Sequence, residues 1–300
     1  MRFNEDADLD TSQVSDQRGM GGRVAVGGGG LGILGLVIYF VISQLGGGGG
    51  QALPSGFGDV GDGRQVGSEA IADRCRTGAD ANREDDCRAV ALINSVQAYW
   101  TDVFQSSGQD YQQAQTNFFS GGVQTGCGSA SSATGPFYCP ADAEVYIDLE
   151  FFTELKTKFG ATGGPFVEGY VLAHEYGHHV QHLLGTSDQV SGGSGAESGS
   201  VRLELQADCY AGAWAKHATS TPTSSGEPLI TGVTRADVNA ALDAASRIGD
   251  DFIQRELGGG QVDTTQFTHG SSTQRQKWYT TGFRTGDPTR CDTFATDNLG

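Results

Sequence analysis

Apolar residues recur every three or four positions in REDDCRAVALINSVQAYWTDVFQ, at Val90, Ile93, Val96, Trp100 and Phe104. That is the spacing of one buried helix face. FVEGYVLAHEYGHHVQHLLG keeps the same period and closes on Gly185, a residue suited to ending a helix. VRLELQADCYAGAWAKHA predicts a second apolar helix, reached through the loop SDQVSGGSGAESGS. TRADVNAALDAASRIGDDFIQ predicts a further helix, with Thr234 as its N-cap and Asp237 three residues on. AEVYIDL, residues 143–149, favours a strand through Val145, Tyr146 and Ile147. Residues 107–140 are rich in turn formers, and the chain from Gly258 onward shows no regular period. The pattern implies an α+β fold that is mostly helical, with a small sheet.

Ahead of these elements the pattern changes. Residues 1–23 are polar and charged without periodicity, which predicts a disordered tail. Val24 to Leu45 carries no charge, and its length suits one transmembrane helix. A signal peptide is the competing reading, but the run Gly46–Gly50 lacks an A-x-A cleavage pattern. Residues 46–67 read as a Gly-rich linker, and residues 68–300 as the globular domain. Arg18 and Arg23 precede the apolar segment, and no Lys or Arg follows it until Arg64. The positive-inside rule then predicts a single-pass protein with a cytoplasmic N-terminus and the domain outside the cytoplasm.

The chain has 19 Lys and Arg against 36 Asp and Glu, a net charge of −17. Such a surface repels phosphate backbones, so nucleic acid is not an expected partner. None of the six cysteines forms a C-x-x-C pair, which argues against a zinc ribbon. Disulfides fit an exported domain, although sequence alone does not choose among the pairings and six buried thiols remain an alternative. Cys75–Cys87 and Cys127–Cys139 would close short loops, which leaves Cys209–Cys291.

Four of the six histidines lie in HEYGHHVQH, residues 174–182. His174 and His178 are four apart, so on a helix they share a face and can grip one Zn²⁺. Glu175 is about 100° round the helix. From there its carboxylate can take a proton from a zinc-bound water while that water attacks a carbonyl. Gly177 gives steric clearance between the ligands for another segment. A third ligand comes from the next apolar helix, where Glu204 and Asp208 are again four apart. Glu204 would ligate zinc, and Asp208 would hold a ligand histidine from behind. His178 with His182 is a rival pair, but no glutamate follows His178 to serve as base. His179 and His182 therefore read as hydrogen-bonded structural residues.

HEYGHHVQH followed by ELQADCYAGAWA resembles the predicted neutral zinc metallopeptidases of bacteria, a membrane-anchored, gluzincin-like family. The resemblance extends to MRFNEDADLDTSQVSDQRG, FYCPADAEVYIDLEFF and HGSSTQRQKWYTTGF, and so to nearly the whole chain. It implies a zincin-like domain, with His174, His178 and Glu204 as zinc ligands, Glu175 as base and Asp208 behind them. Zinc peptidases of this type place a strand before the metal helix whose edge pairs with substrate, which makes AEVYIDL a candidate. His269 is a candidate for stabilising the oxyanion. The expected activity is hydrolysis of peptide bonds in a peptide or protein. The rivals are a binding or scaffold module with structural zinc, and an amidase acting on cell-wall peptides. Oligomeric state is not readable from the sequence.

Overall fold

A computed structural model describes residues 1–19, 70–190, 192–223 and 226–300. The expected transmembrane helix (24–45) and the Gly-rich linker (46–67) lie outside the described residues. Among the described residues, no helix is long and apolar enough to cross a membrane. The fold is α+β, about half helical with small sheets.

The N-terminal segment folds into the domain. It forms β1 (Arg2–Phe3) and β2 (Val14–Asp16), with Phe3, Ala7 and Val14 buried. A short helix α1 (Gly78–Ala81) leads into the long α2 (Asp85–Ser106). The chain continues through β3 (Thr116–Phe119), a hairpin of β4 (Gly122–Thr125) and β5 (Gly128–Ser131), then β6 (Phe137–Cys139) and β7 (Glu144–Asp148). The main sheet has the order β2-β3-β7-β6. β2 is parallel to β3 and β3 to β7, while β6 runs antiparallel at the edge.

This corrects the expectation of disorder in the tail (residues 1–23): residues 1–19 fold into the domain. The tail shows no side-chain period because its strands are only two and three residues long and β2 buries the polar Ser15 and Asp16. Asn94, on α2, completes the seat by accepting from the Asp10 amide at 2.8 Å and donating to the Asp10 carbonyl at 2.9 Å. Asp86 receives Arg18 at 3.0 Å and Arg74 at 2.7 Å on the same carboxylate oxygen.

After α3 (Phe151–Thr157), the remaining helices are α4 (Pro165–Leu183), α5 (Gly199–His217), α6 (Arg235–Arg247), α7 (Asp250–Glu256) and α8 (Ser272–Thr285), with β8 (Ile230–Gly232) before α6. α4 stops at Leu184, where Gly185 turns the chain with φ +68°. The helix expected over TRADVNAALDAASRIGDDFIQ is two, broken at Ile248–Gly249, and its Thr234–Asp237 capping box forms as read. α8 corrects the irregular reading beyond Gly258. α5 packs between α4 and α8, and close approach sets both contacts. A Cβ on Gly177 would lie 3.0 Å from the Ala207 Cα, and one on Gly282 would lie 1.8 Å from the Cys209 carbonyl oxygen. The disulfides are Cys75–Cys87, Cys127–Cys139 and Cys209–Cys291, the last tying α5 to the C-terminal segment.

Candidate metal centre and cavity

α4 and α5 present the predicted residues to one another. Ligand atoms of His174, His178 and Glu204 all lie within 4.8 Å of each other. Nε2 of His174 is 3.1 Å from one Glu204 oxygen, and Nε2 of His178 is 3.4 Å from the other. Glu175 and His269 line the same cavity of about 350 Å³.

The groups behind the imidazoles decide which nitrogen faces the centre. Asp208 is fully buried, and its carboxyl is held below its ordinary range. Burial opposes that shift, but Arg275 and the His174 ring outweigh it. An ionised Asp208 only accepts, so His174 Nδ1 donates to it at 2.9 Å and leaves Nε2 toward Glu204. Gln181 does the same for His178. Its Nε2 donates to the Leu203 carbonyl at 2.7 Å, so its Oε1 faces His178 Nδ1 at 2.9 Å and accepts from it.

Two imidazole nitrogens and a carboxylate thus converge with their lone pairs. At these distances they repel unless a proton or a cation lies between them. Zn²⁺ accepts this donor set, and the fit is to the chain's own geometry. Without metal a proton takes the place. Burial lowers the His174 value, but Asp208 and Glu204 outweigh it and raise it from 6.5 to about 10. The metal-free fold therefore gains stability from this proton below pH 6.5 and loses it as pH rises through about 10. Zinc uptake should release a proton and tighten across the same window. Calorimetry in buffers of different ionisation enthalpy measures both, and a flat binding constant with no proton release would contradict the competition.

The rest of the cavity carries its own order. Burial raises the Glu175 carboxyl, only partly offset by His174 and His178, which suits a base. Asp250 Oδ2 collects the amides of Thr268, His269 and Gly270 at 2.8, 2.7 and 2.9 Å. Its Oδ1 lies 3.2 Å from His269 Nδ1. Burial lowers His269, but Glu204 and Asp250 raise it further, which favours the imidazolium.

Several functional residues escaped sequence reasoning. Arg275, on α8, grips Asp208 through Nε at 2.8 Å and Nη2 at 3.0 Å. The Tyr170 hydroxyl adds a bond to Asp208 at 2.6 Å. The readable signal for Arg275 was the S-x-x-Q capping box Ser271–Gln274, which opens α8. For Gln181 it was the three-residue spacing from His178. The strand beside the cavity also differs from expectation. AEVYIDL forms β7, which is paired on both sides by β3 and β6. The edge is β6, whose Phe137 and Tyr138 line the cavity.

Helix-borne imidazoles with a carboxylate from a second helix are the donor set of proteins that hold a single zinc and keep a position open for chemistry. The chain belongs to the family described as "Putative neutral zinc metallopeptidase", whose model matches residues 2–294. Uncharacterized protein Rv2575 of Mycobacterium tuberculosis is 51% identical over 229 residues, 76% of each chain. Uncharacterized protein YpfJ of Escherichia coli K12 is 37% identical over 297 residues, 95% of this chain and 96% of that one. No solved structure matches.

Proposed function

We propose that the chain is a zinc-dependent peptidase that hydrolyses peptide bonds in the cavity between α4, α5 and β6. One observation carries this reading: two imidazoles and a carboxylate converge within 4.8 Å beside buried Glu175, at the wall of an open cavity. Among the described residues the cluster holds three donors. A structural zinc would fill all four positions with protein ligands.

Bound to His174, His178 and Glu204, zinc would supply Lewis-acid polarisation of the scissile carbonyl and acidify water. Glu175 takes the proton of the attacking water and delivers it to the leaving amine. His269, held by Asp250, donates to the oxyanion as charge develops. β6 is the edge strand beside the cavity, so recognition of an extended peptide begins with backbone. Specificity then comes from the wall, where Phe137, Tyr138, Phe151, Phe159, Val171 and Ile253 favour a bulky apolar side chain.

Three disulfides support a location outside the cytoplasm for the domain, and the uncharged segment 24–45 supports contact with a membrane. The net charge of −17 disfavours nucleic acid as a partner.

Cleavage profiling on a proteome-derived peptide library tests the reading. Zinc-loaded protein should cut internal bonds next to large apolar residues, stop with chelator and resume when zinc is restored. No cleavage by stoichiometrically loaded protein would remove the peptidase assignment.

A further inference from the structure

We propose that His179 and His182, the two imidazoles of the cluster outside the metal centre, clamp edge strand β6 to α4 through the Tyr138 hydroxyl. They are positioning residues for the strand that meets substrate. The substrate part of this inference rests on the peptidase reading.

The direction of each hydrogen bond follows from one carbonyl. The Gln112 oxygen can only accept, so His179 Nε2 carries the hydrogen that reaches it at 2.7 Å. The other nitrogen of the neutral, buried ring is then an acceptor. The Tyr138 hydroxyl lies 3.1 Å from that His179 Nδ1 and donates to it. Its free lone pair faces His182 Nδ1 at 2.7 Å, which must donate. The chain of donors runs from His182 to Tyr138 to His179 to Gln112, with no group left to choose its role.

The placement of these groups gives the chain a purpose. His179 and His182 are three apart, so they share a face of α4 that points to β6 rather than to the zinc ligands. The Tyr138 ring also packs on both, with centroids 5.3 Å from His179 and 5.9 Å from His182. β6 is three residues long and has one sheet neighbour, β7. A short edge strand is prone to local opening. Its Cys139 end is tied by disulfide to Cys127, in the turn of the β4–β5 hairpin. That bond does not fix its distance from the metal helix. The clamp does, and that distance sets how well an extended substrate can pair with the strand.

Hydrogen exchange on the full zinc-loaded chain tests this directly. Tyr138→Phe keeps the ring in the wall and loses the hydroxyl, and His182→Leu loses the donor. Both should speed exchange at the Phe137–Cys139 amides about tenfold, with α4 amides unchanged. His182→Asn, whose amide can donate from the Nδ1 position, should restore slow exchange. Zinc affinity should stay within about twofold of wild type, because His174 and His178 keep their own partners. With a quenched casein-derived peptide, KM should rise about tenfold and kcat change little, as for lost uniform binding. Unchanged exchange at β6 in Tyr138→Phe, or exchange rising equally through α4, would overturn the clamp. If the wild type cleaves no peptide, the peptidase reading falls while the exchange data still decide the clamp.

Discussion

Glu175→Gln should bind zinc as tightly as wild type and hydrolyse peptides at least about 100-fold more slowly. The two outcomes separate because Glu175 lines the cavity but is absent from the ligand cluster. Glutamine keeps the shape and cannot take a proton. A third outcome follows from burial. The Glu175 carboxyl has a folded value raised above 4.5. Ionising it therefore costs the fold stability as pH rises above the unfolded value. Removing that cost should raise the melting temperature near neutral pH, with the difference shrinking as pH falls below about 4.5. Metal analysis, kcat/KM and calorimetry at two pH values read all three. Wild-type turnover would take Glu175 out of the mechanism.

The second large effect is expected at the Asp208–Arg275 pair. Arg275→Met leaves the Asp208 charge buried with only Tyr170 and His174 as partners. Breaking a buried pair from one side typically costs about 3–5 kcal/mol. Asp208→Leu strands the guanidinium in the same way. The double variant should be more stable than either single one, because no uncompensated charge remains. Zinc affinity should not recover with it, since nothing then holds His174 Nδ1. The expected loss is about 10–100-fold. Denaturant melts and zinc competition give the two readouts. Additive losses in stability would mean that the pair is not coupled.

The legible parts of the molecule are those where chemistry and periodicity coincide. His174, Glu175 and His178 stand at spacings dictated by a helix, within apolar flanks that announce one. Glu204 and Asp208 repeat that logic one helix later. α8 was hidden because its buried face includes Gln274 and Arg275, polar residues that erase the apolar period while making the contacts that matter. β2 was hidden because it is three residues long and two of them, Ser15 and Asp16, are polar although buried. Strand propensity found β7 but could not say that β6 would cover its outer edge, since sheet order is set by tertiary packing. Of the histidines, His179 and His182 were read as hydrogen-bonded, but their common partner lies more than forty positions away, beyond any local pattern.

Asp86 joins two parts of the domain that are far apart in the sequence. Arg18 and Arg74 end on the same oxygen of its carboxylate, so residues 1–19 and the segment from residue 70 onward meet at one charge. Val14 of the first segment pairs with Thr116 of the second, so strand and ion pair hold the same two parts together. Arg18, which the positive-inside rule counts only as a charge, is thus also a fastening, tied to Asp16 and Asp86 at once.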